Sequence, residues 1–159
     1  MRAICTLAVA ALLLCGSGCA RMWGPNARNG IVFYCPGASN FDLGDVPLRE
    51  GLRSAGYTGE VATFYWTIAP IPIAGAAIDQ VARINPKLRA RILARHIEHY
   101  IDTYPGRRVN VVGLSAGSGV ALWAIENLKS GYRVDDVVLL SSSLSSTFDA
   151  RPALRRIRG

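Results

Sequence analysis

Apolar residues along this chain fall into two patterns that take turns. A continuous apolar run at Ile31–Cys35 predicts a strand buried on both faces, and Val61–Trp66, Val109–Leu114 and Val134–Leu140 read as three more strands. Between them the spacing is helical. Asp45 can cap a helix through Arg53, with Pro47 in its first turn, Leu48 and Leu52 on one face, and Gly56 as terminator. From Pro86 to Tyr104, residues Leu88, Ile92, Leu93, Ile97, Tyr100, Ile101 and Tyr104 form one apolar stripe, while Arg89, Arg91, Arg95, Glu98 and Asp102 populate the other face. Pro105-Gly106 ends that helix. A third helix runs from Ser118 to Lys129 and closes at Gly131. Residues 67–85 are less regular: the prolines of Thr67-Ile68-Ala69-Pro70-Ile71-Pro72 exclude a regular element, and a short helix is expected after Gly75. Strand-helix alternation with apolar strands predicts an α/β fold, a predominantly parallel sheet with helices on both faces.

The first twenty residues have another character. Met1-Arg2 is a short basic start, and Ala3–Leu14 is nearly all Ala, Val, Ile and Leu. That run is too short to span about 30 Å of hydrocarbon, and together with the small-residue exit it describes a secretory signal peptide over residues 1–18. The junction Ser17-Gly18-Cys19-Ala20 resembles a bacterial lipobox, which implies diacylation of Cys19 and attachment to a membrane of the cell envelope. Gly16 departs from the Leu usual there. Cys15 is an alternative with bulky Leu14 at the cleavage point, and a plain signal peptide cut nearby is another. Residues 19–29, which contain Gly, Pro and Asn, then read as a tether, and 30–159 as the folded domain. Once Cys5 and Cys15 leave with the signal and Cys19 is the anchor, Cys35 stands alone inside a strand, as a buried small hydrophobe.

Composition sharpens this. Of 159 residues 50% are hydrophobic and 18% charged, which excludes a disordered chain, a collagen-like fibre and a multi-span membrane protein. The net charge is +7, and apart from Lys87 and Lys129 every basic residue is Arg. Only Arg2 lies within residues 1–18, so the excess belongs to the exported part. No long basic run or basic-aromatic interleaving accompanies it, and no nucleic-acid groove is expected.

The chemistry concentrates at Gly113-Leu114-Ser115-Ala116-Gly117, a G-x-S-x-G sequence. Five such letters are weak alone. Their setting, between a strand and a helix, is what the nucleophile elbow requires. The turn is so sharp that the serine must adopt a strained backbone conformation, and a side chain at 113 or 117 would collide with neighbouring backbone. Gly119 is expected to let the helix approach the sheet. Ser115 Oγ would then stand above the sheet at a helix N-terminus, where developing negative charge is favoured. Ser118, without flanking glycines at the right offsets, reads as a helix-start residue; a Gly-rich turn without chemistry is the alternative for Ser115 itself.

With these residues the chain resembles the α/β-hydrolase superfamily over most of 30–145. Val109–Ala121 looks like its nucleophile elbow, and Ile31–Cys35 followed by Pro36-Gly37-Ala38-Ser39 looks like its oxyanion strand and loop. The resemblance implies a serine esterase acting through an acyl-enzyme on a small-molecule or lipid ester. Ser115 would be the nucleophile, the backbone N–H groups of Ala116 and Ala38 the oxyanion donors, and no cofactor or metal would be needed. Pro36 stands where many members carry His. Trp66, Ile68, Ile71 and Ile73 follow a strand's C-terminal end, where they either line an acyl pocket or pack as an ordinary loop.

A serine hydroxyl needs a base, and the family order is Ser, then acid, then His. No histidine follows Ser115. His96 and His99 precede it on the long helix and read as surface residues; their spacing suits a metal pair, but no further ligands cluster nearby. Among later acids, Glu126 is mid-helix and Asp135-Asp136 open a strand at the wrong end. Asp149 follows a strand end and is either the acid or a turn residue before Pro152. The chain thus holds about half of the family's sheet, and Arg151–Gly159 reads as an unfinished connection. A fragment, a catalytically dead hydrolase, and a chain completed by another each satisfy the pattern. A non-catalytic envelope lipoprotein that keeps the fold for binding is the competing functional reading.

Overall fold

The computed structural model describes residues 23–40, 44–66 and 78–159. Four parallel strands form one sheet: β1 (Ile31–Cys35), β2 (Glu60–Thr63), β3 (Val109–Leu114) and β4 (Asp136–Leu140), in the order β2-β1-β3-β4. Between them run α1 (Asp45–Ser54), α2 (Ile78–Thr103) and α3 (Gly117–Glu126), and a short α4 (Arg151–Leu154) follows β4. The class is α/β. On one face Phe33, Cys35 and Val111 pack with Leu93, Ile97 and Tyr100 of α2 and Val120 and Ile125 of α3. On the other, Val32, Tyr34, Val61 and Val112 meet Leu48 and Leu52 of α1. Both faces of β1 are therefore covered, which is why its run is apolar without interruption. Beyond α1 that second face opens, leaving Val138 47% and Leu140 40% exposed.

The boundaries differ from the sequence pattern in instructive places. Gly44 stands at the N-cap of α1, and Asp45 instead pairs with Arg49 at 3.5 Å and accepts the Thr63 hydroxyl. The other end matches expectation: Gly56, at φ +84°, donates to Arg53 O while Tyr57 donates to Leu52 O, a Schellman closure. β2 stops at Thr63, although Phe64 N–H still donates to Tyr34 O; the chain then turns so that Trp66 can reach the loop after β1. α2 does not start at Pro86. It is continuous from Ile78, with Pro86 inside it at the cost of one i→i−4 hydrogen bond. The expected short helix and the long one are a single element from Ile78 onward, while Gly75 lies outside the described residues.

One further expectation changes. Glu98 is 6% exposed rather than on the solvent face: its Oε1 accepts Lys129 N–H at 2.8 Å and its Oε2 pairs with Lys129 Nζ at 3.2 Å, tying α2 to the chain after α3. Arg151–Gly159 packs back onto the domain. α4 packs Ala153 into the core, and Ile157 bridges Val134 in parallel, with Val134 N–H donating to Arg156 O and Arg158 N–H to Val134 O. Val134 is thus separate from β4, which begins at Asp136.

Candidate active site

The site forms where β1, β3 and β4 end. Cys35 is the register partner of Gly113, and Leu114 of Leu140, so the turns that follow these strands lie side by side. Between β3 and α3 the backbone of Ser115 takes φ +49°, a left-handed conformation that costs an L-residue with a side chain roughly 1 kcal/mol or more. Its N–H donates to Leu140 O at 2.9 Å, and its carbonyl accepts Ser118 N–H at 3.0 Å. Both backbone groups are engaged, so the strained conformation is held from two sides.

Both flanking glycines are obligatory. A Cβ at Gly113 would lie 2.7 Å from Ser118 Cα and 2.9 Å from Gly117 O. At Gly117 it would lie 2.2 Å from Cys35 O and 2.4 Å from Pro36 O. The second pair of distances also shows that the N-terminus of α3 abuts the loop after β1. Gly119 has no such role: the nearest atoms a Cβ there would meet are flexible side-chain atoms of Trp123 and Leu144, the closest at 3.4 Å. Ser118 is a helix-start residue, fully buried, with its hydroxyl donating to Gly113 O at 3.2 Å.

The loop after β1 is itself braced. Ala38–Asn40 makes a single 3-10 turn, Asn40 takes φ +51°, and Asn40 Oδ1 accepts Trp66 N–H at 3.1 Å. Trp66, buried, donates its indole N–H to Pro36 O at 2.7 Å. The main chain at Tyr65–Trp66 is held in turn by the Arg89 guanidinium, which donates to both carbonyls. Trp66 therefore positions the loop by hydrogen bonds; Ile68, Ile71 and Ile73, expected beside it, lie outside the described residues. Among the described residues, neither Ala38 N–H nor Ala116 N–H has an acceptor, and Ser115 Oγ, half-buried, makes no hydrogen bond. The geometry brings a hydroxyl and two open amides to one edge of the sheet.

Around them stand residues that the motif did not announce. Ser143 N–H donates to Ser115 O at 3.5 Å, and Ser141 takes φ +45°, so the strand-end serines of β4 wrap the elbow. A pattern signal existed in Ser141-Ser142-Ser143, but serine runs are common in loops. Asn40 could be found by its residue type, because Asn tolerates left-handed backbone better than most.

The acid and base candidates lie elsewhere. Asp149 is exposed; its carboxylate accepts Arg151 N–H at 3.0 Å and pairs with the Arg151 guanidinium at 2.8 and 2.9 Å, which holds its pKa below the ordinary carboxylate value. That is the turn role. Asp135 and Asp136 are at the N-terminal end of β4, paired with Arg158 and Arg108, and Glu126 ends α3 at the same far side. His96 is half-buried rather than a surface residue, packed edge-on against Phe64 just after β2, with β1 between β2 and β3. Burial, then Arg95 and His99, lowers its pKa. His99 stacks on Trp23. Cys35 is fully buried, and desolvation raises its thiol pKa far out of nucleophilic range, as expected for a core residue. Cys19 lies outside the described residues, and among these no helix is long and apolar enough to cross a membrane.

No protein-family model, curated protein or solved structure matches the chain. Its chemistry must be argued from the edge of the sheet just described.

Proposed function

We propose that this chain is a serine hydrolase of the α/β-hydrolase type, in which Ser115 attacks an acyl ester and the N–H groups of Ala116 and Ala38 receive the oxyanion. One observation carries the reading: Ser115 is held at φ +49° between two glycines that no larger residue could replace. A protein needing only a strand-to-helix turn has no reason to keep a β-carbon there, because glycine would relieve the strain. The open amides at the start of the α3 turn and of the braced β1 loop suit a charge developing beside the hydroxyl.

The remaining machinery is sparse. His96 and His99 both precede Ser115 and pack against Phe64 and Trp23 rather than beside it, so within this chain no histidine serves as its base. What is left is oxyanion stabilisation and binding, worth about 10³–10⁴-fold over water in well-built sites. The same absence favours the second reading, a protein that retains the hydrolase edge for binding. At the N-terminus, the signal-like residues 1–18 and the lipobox-like Ser17-Gly18-Cys19-Ala20 support export and a diacyl anchor at Cys19 in a bacterial envelope.

A fluorophosphonate probe decides between the two readings. Covalent labelling of the full chain that disappears in Ser115→Ala is the expected result; a folded chain that does not label at Ser115 supports the binding protein. Loss of detergent partitioning in Cys19→Ser is expected from the anchor, and retention would reject it.

A further inference from the structure

Two amides are assigned to the oxyanion, and the fold holds them differently. Ala116 N–H belongs to the elbow, whose path is fixed by contact: Gly113 and Gly117 have no room for a β-carbon, and the Ala116 carbonyl accepts Gly119 N–H at 3.2 Å. Ala38 N–H belongs to a loop. Ala38 itself is exposed, so its side chain anchors nothing, and a single 3-10 turn has little stiffness of its own. Its place depends on what grips the residues on either side. Both grips come from Trp66: the indole N–H donates to Pro36 O at 2.7 Å, and the main-chain N–H to Asn40 Oδ1 at 3.1 Å.

Trp66 needs an anchor in turn. β2 has ended at Thr63, and among the described residues the pairing with β1 goes no further than Phe64 N–H donating to Tyr34 O. α2 supplies the hold. His96 packs edge-on against Phe64 with ring centroids 5.8 Å apart. Arg89, two turns earlier and so on the same face of the helix, donates from Nε to Trp66 O at 3.3 Å and from Nη2 to Tyr65 O at 3.4 Å. It is half-buried and has no carboxylate partner among the described residues. An ionised donor makes stronger hydrogen bonds than a neutral one, so the guanidinium is a firm end for the relay. We infer that Arg89 is a positioning residue for the oxyanion: through Trp66 it sets where the Ala38 amide stands, without touching the substrate. The inference rests on the reading of Ser115 as the nucleophile. It makes one of the two donors dependent on α2, while the other depends on the elbow alone.

The test follows fluorophosphonate inactivation of the full chain as a maximal rate and a half-saturating concentration, together with the 15N–1H spectrum of the adduct. Arg89→Leu removes the guanidinium, and Trp66→Phe keeps a ring but loses the indole donor. Each is expected to lower the maximal rate at least about tenfold, toward the roughly 10²–10³-fold that a lost oxyanion donor costs. The half-saturating concentration is expected to stay unchanged. In both adducts the Ala116 amide proton still moves downfield and the Ala38 proton does not. Arg91→Leu, exposed on the same helix, is expected to match the unsubstituted chain. An Arg89→Leu chain that keeps the full rate and the Ala38 movement would overturn the inference. So would one in which the Ala38 and Ala116 movements shrink together, the sign of a loosened fold rather than a displaced donor. Trp66 is buried, and if Trp66→Phe does not fold, Arg89→Leu decides alone. An unsubstituted chain that never labels at Ser115 removes the nucleophile reading and this inference with it, whereas labelling indifferent to position 89 removes the inference only.

Discussion

The two ends of this sheet solve the same geometric problem with different residues. Turns leading into the strands at the N-terminal end need left-handed backbone and use glycine for it: Gly30, Gly56, Gly106 and Gly131 have φ between +77° and +119°. Turns leaving the strands at the C-terminal end need it as well, and there Asn40, Ser115 and Ser141 adopt φ between +45° and +51° with side chains attached. Glycine relieves strain where only the path of the chain matters. Keeping a side chain where it is costly marks the edge at which side chains have work to do. Glycines at the C-terminal end serve another purpose, close approach: Gly113 and Gly117 have ordinary φ but no room for a β-carbon.

Substitutions can break that contrast. The largest effect is expected for Gly117→Ala, whose methyl would sit 2.2 Å from the Cys35 carbonyl oxygen, so α3 must move off β1. A loss of about 3 kcal/mol in chemical denaturation is expected. Gly131→Ala meets nothing within 4 Å, so only its φ of +91° penalises it, by about 1–2 kcal/mol. Ser115→Gly carries the opposite sign: release of left-handed strain should raise stability by about 0.5–1 kcal/mol while abolishing covalent labelling. Were Ser115→Gly destabilising, the strain argument would fail.

Two further effects concern α2, which spans both ends. Glu98→Gln keeps an acceptor for Lys129 N–H but gives up the charge facing Lys129 Nζ, and about 1 kcal/mol is expected in the same denaturation assay. His96 supplies the pH dependence. Burial, with Arg95 and His99, depresses its folded-state pKa, so the unfolded chain binds the proton more readily. The contribution is fully present above the unfolded value near 6.5 and is lost as pH falls from there toward the lower folded value. His96→Leu should flatten that acid limb of the stability profile.

Much of this arrangement was legible before any coordinates. The run Ile31–Cys35 names its own strand because both faces of β1 are covered and all five residues are buried. The Gly-x-Ser-x-Gly spacing revealed the elbow because both glycines answer to steric contact, not to preference. What escaped depends on tertiary partners. Glu98 sits on the polar side of its helical wheel and is buried only because the chain after α3 brings Lys129 to it. Trp66 reads equally as a pocket wall or as loop packing until Pro36 O is found at its indole. Pro86 reads as a helix start, yet the backbone continues through it, a choice that local preference does not reveal. Ile157 joins Val134 through backbone pairing at the sheet's edge, for which its sequence neighbourhood of arginines gives no sign.

The central claim is that Ser115 Oγ and the Ala116 and Ala38 amides converge on one reacting carbonyl. The most direct measurement is the backbone 15N–1H spectrum before and after phosphonylation with a fluorophosphonate, with the modified residue identified by peptide mass. The account predicts a single adduct on Ser115 and downfield movement of both the Ala116 and Ala38 amide protons as they bond the phosphonyl oxygen. An adduct on Ser115 that leaves both amides unmoved, or modification of another residue in its place, would contradict it.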